Sequence, residues 1–269
     1  MKQWGTGRLL ALACVSVAAW LSLPVAAAET VTLYGDDGYP PYSYVENGQF
    51  KGIYVELLQA AAAKLLPHYR LELKPVPWRR GLAMLENGQA LGLFPPYLRR
   101  ERTYIWPYST PLYREQVVIV CNTAALNKPR RRFPDDFGDV TIGINSGFAL
   151  ADSLIQARAA GKVGIDEAMG NAINIRKLRN NRIGCYINDR LSIFHTLKHM
   201  GHRPGQPMQA GELAVREVAV ISGEEAFVGF SRRASAPYKD DFIRRLNAAL
   251  LELQAAGTIR GIVALYSPE

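Results

Sequence analysis

The sequence predicts an α/β protein of two lobes, each a mixed sheet with flanking helices, joined by a two-strand hinge. Three observations predict it. A β-α-β-α-β alternation runs over residues 31–94, a second round runs over 140–187, and an extended apolar stretch follows each round, at 115–121 and 217–230. Alternation of this kind builds a largely parallel sheet covered by helices. Two extended crossings between two such layers make a hinge, and a small ligand would sit in the cleft between the lobes. A chain that goes out and returns makes the first lobe discontinuous, 29–117 with 225–269, and leaves 118–224 as the second.

Each element has its own signal. Residues 31–34 read as a short strand and 35–41 (GDDGYPP) as a loop. Asn47-Gly48 marks a hairpin turn between the aromatic-rich pieces 42–45 and 50–53. From 54 to 66 the apolar residues Val55, Leu57, Leu58, Ala61, Ala62, Leu65 and Leu66 recur at helical spacing until Pro67 stops them. A strand at 71–76, a helix at 80–86 closed by Asn87-Gly88, and a strand at 90–94 complete the first round. The second round opens with a strand at 140–144, and Asn145-Ser146-Gly147 turns into a helix through residue 159. Strands at 173–175 and 183–187 flank a helical 176–180. Phe242, Leu246, Ala249, Leu250 and Leu253 form one stripe of a closing helix, 237–256, capped by Gly257.

With 48% hydrophobic and 21% charged residues, the 269-residue chain is neither disordered nor a polytopic membrane protein. Residues 1–28 carry Lys2 and Arg8, an apolar stretch at 9–25, and Ala26-Ala27-Ala28, the pattern of a cleaved export signal. The excess of 32 Lys+Arg over 24 Asp+Glu gives a charge of +8. Its densest run, Arg130-Arg131-Arg132, lies in a Pro-bounded loop and no nucleic-acid-binding motif accompanies it, so a solvated basic face is expected. Cys121 and Cys185 each sit in an apolar strand-like run. In an exported chain both a disulfide and two buried thiols fit that context.

Several stretches, read in order, resemble the bacterial extracellular solute-binding proteins of family 3, the polar-amino-acid type. They are Tyr39-Pro40-Pro41-Tyr42-Ser43-Tyr44, residues 48–58 (GQFKGIYVELL), Pro77-Trp78, and Leu85-Glu86-Asn87-Gly88. Arg99-Arg100-Glu101-Arg102 leads to Tyr108-Ser109-Thr110-Pro111-Leu112-Tyr113. Ile142-Gly143-Ile144-Asn145-Ser146-Gly147 and the tail 250–266 follow. The resemblance implies the two-lobed type II periplasmic-binding-protein fold. It also implies a monomer in the periplasm that closes on a small amino-acid-like or organic-acid ligand and serves an ABC transporter permease or a membrane sensor, without cofactor or metal.

The resemblance also implies roles. Arg102 forks the ligand carboxylate, and guanidinium has the planar bidentate geometry for it. Asp189 in the second lobe meets the ligand ammonium. Tyr39 covers the ligand, Trp78 forms the opposite wall, and Asp36 stands where some relatives contact a cationic side chain. The chain departs from the family in two places. Phe94-Pro95-Pro96-Tyr97 replaces a Ser/Thr-rich segment, so two N–H donors are lost and Tyr97 remains to offer its N–H and phenol. Phe148 stands where many relatives have Thr. Such a site keeps its charges but gains aromatic surface, which favours a larger or less polar anion. Ser146 and Gly147 lie in a turn that could receive an anion ahead of a helix.

A few proteins of the same fold are lyases or dehydratases acting on cyclic carboxylic acids, with a cleft carboxylate as acid or base. Asp36 and Asp189 facing one cleft would suit that alternative. No Glu or His is placed between the lobes, so binding without chemistry is the expectation. His195, His199 and His202 share one helical face, but the spacing lacks a metalloprotease Glu and reads as a solvated face.

Overall fold

The computed structural model describes residues 1, 28–148, 151–200 and 213–266. The expected export signal and His202 lie outside the described residues. In chain order the first part holds β1 (Glu29–Asp36), β2 (Gly38–Tyr39), β3 (Ser43–Glu46), β4 (Gln49–Lys51) and α1 (Ile53–Leu65). It continues with β5 (Tyr69–Val76), α2 (Trp78–Glu86), β6 (Gly92–Phe94) and β7 (Ile105–Tyr108). The middle holds β8 (Tyr113–Asn122), β9 (Thr141–Asn145), α3 (Asp152–Ala159), β10 (Gly164–Ala168), α4 (Asn171–Arg179), β11 (Cys185–Asp189) and α5 (Arg190–His199). The chain returns through β12 (Val215–Ala226), β13 (Gly229–Ser231), α6 (Lys239–Ala255) and α7 (Thr258–Tyr266).

Two five-stranded mixed sheets result. The first runs β5-β1-β6-β13-β7, with β1 parallel to β5 and β6, and β13 antiparallel to β6 and β7. The second runs β10-β9-β11-β8-β12, with β9 parallel to β10 and β11, and β8 antiparallel to β11 and β12. A small β2-β3-β4 sheet, turned at Asn47-Gly48 with both residues at positive φ, adjoins the first. The first sheet draws strands from both ends of the sequence and the second from the middle. The expected divisions at 117/118 and 224/225 fall inside β8 and β12, which cross between the lobes side by side.

Helical faces follow the apolar spacing. α1 buries Val55, Leu57, Leu58, Ala61 and Leu65, and packs against α6, whose Phe242, Leu246, Ala249, Leu250 and Leu253 are buried. In the second sheet Cys185 pairs with Cys121 across β11 and β8, and the two form a disulfide. That settles the question their sequence context left open.

Five elements differ from the sequence expectation. β1 runs on to Asp36, and Gly38–Tyr39 pairs with β3 rather than looping freely. Residues 173–175 are helical. α4 buries Asn171, Asn174, Ile175, Leu178 and Arg179 while Ile173 is exposed, so most of its inward face is polar and the helical period is hidden from a hydrophobicity reading. β10 is an edge strand of sequence GIDEA, with too few apolar residues to signal a strand. α3 begins at Asp152, well after the Asn145-Ser146-Gly147 turn, so Ser146 and Gly147 do not sit on its first turn.

Candidate functional site

The carboxyl ends of the central first-lobe strands point at the second lobe, the place where α/β sheets put ligands. Asp36 is the last residue of β1 and Phe94 the last of β6. Pro95 follows β6 directly. Arg102 lies in the turn that leads into β7: its N–H donates to the Arg99 carbonyl (3.2 Å) and its carbonyl accepts from Ile105 N–H (3.0 Å). Asp36, Tyr39, Trp78, Pro95, Tyr97 and Arg102 from the first lobe, with Phe148 from the second, line a narrow chamber. A wider outer space of about 240 Å³ shares Asp36, Trp78 and Phe148 with this inner chamber and adds Asn145, Ser146 and Gly170.

Arg102 is 8% exposed. Its Nη2 donates to Gly147 O (3.0 Å), and the guanidinium lies 5.6 Å from the Trp78 ring centre. Burial lowers its pKa from the ordinary arginine value. The same planar fork carries further N–H donors of the kind that grip a carboxylate in pairs. Trp78 heads α2, and its Nε1–H donates to that same Gly147 carbonyl (3.2 Å). Gly147 has φ +79° at the turn after β9, and a Cβ there would meet Arg79 Cγ at 3.1 Å. Glycine is what lets this carbonyl reach both donors.

Asp36 is 4% exposed, and its Oδ1 accepts from Gly38 N–H (2.9 Å). Burial pushes its carboxyl up to about 7, against the lowering effect of the Gly38 N–H and with a further push from Asp37. The chamber walls are mostly rings. Phe148 packs edge-on against Tyr39 (5.2 Å) and against Trp78 (5.9 Å). Ser146 faces the outer space, its Oγ bonded to Glu167 (3.1 Å).

Asp189 does not join this chamber. It is 1% exposed and caps α5, accepting from Ser192 N–H (2.9 Å), Gln116 N–H (3.1 Å) and, across the lobes, Tyr42 OH (2.9 Å). Burial holds its carboxyl at about 6 although these donors pull it down. It lines a separate cavity with Tyr42, Tyr113 and Phe194. Its neighbours already supply what a ligand ammonium would have supplied, so both charged groups of the chamber, Arg102 and Asp36, come from the first lobe. The second lobe contributes the Phe148 ring and the Gly147 carbonyl.

The expectation that no Glu lies between the lobes also fails. Glu115, at the lobe end of β8, is 0% exposed and accepts hydrogen bonds from Tyr54 (2.5 Å), Tyr97 (2.5 Å) and Tyr39. Burial raises its carboxyl to about 8, the Asp189 charge adds to this, and the three phenols oppose it. The sequence did hold a signal. Glu115 shares strand parity with the buried Val117, Ile119 and Cys121, which places it on an inward face. The Tyr97 phenol, expected to meet ligand, points to Glu115 instead. His195 and His199 stack at 4.0 Å on α5, and among the described residues no group of three metal-ligating side chains forms.

The fold and these positions can be set against known proteins. No curated protein sequence matches. Among solved structures, a histidine kinase sensor domain with similarity to periplasmic binding proteins superposes with a TM-score of 0.73 at 16% identity, covering 90% of this chain and 99% of that one. An ancestral arginine-binding protein bound to arginine gives 0.70 at 19% identity, covering 88% and 97%. An ancestral amino acid-binding protein, AncCDT-1, a precursor of cyclohexadienyl dehydratase, gives 0.68 at 19%, covering 89% and 95%. At such identities the likeness speaks for the fold, and that fold is the two-lobed one of periplasmic binding proteins. The sequence itself carries the signature of bacterial extracellular solute-binding proteins, family 3, over residues 31–269, nearly the whole described chain, and to that family the protein belongs.

Proposed function

We propose that the chain is a periplasmic substrate-binding protein that closes on a small carboxylate-bearing ligand, an amino acid or a derivative, and presents it to an ABC-type transporter or a sensor. The observation that carries this is Arg102, a buried guanidinium with further N–H donors in a ring-lined chamber between two lobes. A charge-assisted bond there contributes roughly 1.5–3 kcal/mol. The export pattern at 1–28, the disulfide and the family agree with a periplasmic location. Solved relatives by fold include an arginine-binding protein and a sensor domain, which supports both the ligand class and the two downstream roles.

Closure is a matter of differential affinity. Arg102 and Trp78 reach Gly147, Tyr42 reaches Asp189, and Ser192 Oγ reaches the Pro40 carbonyl (2.5 Å). A solute bridging Arg102 and Phe148 adds to these contacts only when the lobes are together. We propose binding without chemistry, and incubation with prephenate or arogenate should return them unchanged. In a thermal-shift and calorimetric screen of amino acids and organic acids, a bound carboxylate raises the melting temperature. Arg102→Ala should weaken that ligand at least about tenfold, one charge-assisted bond's worth, with the fold retained. Equal affinity in the variant would refute the site.

A further inference from the structure

Glu115 is surrounded by phenols in a way that the binding of a carboxylate at Arg102 does not require. Tyr54 donates to Oε1, and Tyr97 and Tyr39 both donate to Oε2. Two of these three residues, Tyr39 and Tyr97, also wall the inner chamber. Each therefore presents its ring to the chamber while its hydroxyl is engaged with a carboxylate that has no solvent exposure. The other walls are equally poor in hydrogen-bonding groups. Pro95 has no N–H, Phe148 is a hydrocarbon ring, and the Trp78 Nε1–H is taken by Gly147 O. Arg102 and Asp36 are the polar side chains that line the chamber besides the two phenols.

We propose that Glu115 is a specificity-determining positioning residue, which holds the Tyr39 and Tyr97 hydroxyls out of the chamber so that the solute is a carboxylate with an apolar, ring-sized body. The inference rests on Arg102 as the carboxylate site and adds the class of solute. An amide body would bring polar groups against ring faces, and a guanidinium body would bring five donors to a chamber in which Asp36 is the carboxyl that lines it; polar groups left unpaired on burial discriminate strongly. A phenyl body meets those faces edge-on or stacked, as Phe148 already does. Burial and the Asp189 charge raise the Glu115 carboxyl to about 8 against the three phenol hydrogen bonds, which agrees with a group that no cation accompanies among the described residues.

The test is isothermal titration of the purified full chain at pH 7 with 3-phenylpropionate, phenylalanine, glutamine and arginine. Both phenyl carboxylates should bind at least about tenfold tighter than glutamine or arginine. Glu115→Leu removes both acceptor oxygens and so frees the Tyr39 and Tyr97 hydroxyls. Phenylpropionate should then weaken, glutamine should strengthen, and their ratio should narrow to about threefold or less. Tyr54→Phe removes a Glu115 partner that does not wall the chamber. It should lower the melting temperature and leave the ratio where it was. Glutamine or arginine binding more tightly than phenylpropionate to the unaltered protein overturns the solute class alone and needs no variant to fold. A ratio that shifts equally in Glu115→Leu and Tyr54→Phe, or that stays put in Glu115→Leu, reduces Glu115 to a structural post. Failure of all four to bind, or undiminished binding to Arg102→Ala, removes the carboxylate site and this inference with it.

Discussion

Asp36 and Arg102 line one chamber, yet water exclusion acts on them in opposite directions. Arg102 stays charged against a carbonyl and an indole face, whereas the Asp36 carboxyl is pushed to about 7 and so is part-protonated at neutral pH. The sign of the stability effect follows from proton binding. An acid whose folded pKa lies above its unfolded one holds its proton more tightly when folded, so stability falls as pH rises from about 4 to about 7. Asp36→Asn removes this loss. Its melting-temperature gain over the unaltered protein should therefore be larger at pH 8 than at pH 5, and a gain that does not depend on pH would contradict the assigned burial effect. At this scale the sequence was partly legible. Arg102, Tyr39 and Trp78 were found through motifs that resemble a family, and the chamber does gather them. Asp189 was misplaced because an Asp ahead of a helix is the same letter whether it caps that helix or meets a ligand. The Tyr42 hydroxyl that joins it comes from 147 residues away.

Elements were legible where apolar spacing was regular. α1 and α6 carry clean stripes, and their bounds shift by only a residue or two from expectation. α4 and β10 were not, because one buries asparagines and the other is a polar edge. Those asparagines are tied together. Tyr186 OH donates to Asn145 and Asn171, and Asn188 and Asn145 both donate to Asn171 Oδ1. A network of this kind rigidifies the second lobe beneath Ser146 and Gly147. α5 depends on its cap. Asp189→Ala removes an acceptor from three donors, two of them backbone N–H groups, and should cost about 1–3 kcal/mol of stability by urea unfolding. The ranking of ligands should not change. A selective loss of ammonium-bearing ligands would return Asp189 to the chamber.

At the scale of the whole molecule, three buried carboxyls among the described residues are held high: Asp36 at about 7, Glu115 at about 8 and Asp189 at about 6. Each contributes stability that diminishes as pH rises from its ordinary value through its raised one. His195, which burial lowers to about 4, acts in the opposite sense, but only up to its ordinary value of 6.5. Asp139 and Asp241, held low by arginines, act below the ordinary carboxylate range. From pH 6.5 to 8 the carboxyls therefore decide the slope. The melting temperature should fall by about 5 °C or more over that interval, and calorimetric scans at the two ends would check it. Asp36→Asn combined with Glu115→Gln should flatten the fall.

β8 and β12 pair without interruption of direction from Tyr113 with Ala226 to Asn122 with Val215, and two bulges sharpen the twist of β12. Both passages between the lobes thus belong to one ribbon rather than to separate cords. A ribbon flexes readily across its broad face and resists being dragged edgewise. The halves can swing like a book's covers, while sliding past one another would tear the ladder along the spine. For the transporter or sensor proposed above, occupancy would register as a change of angle.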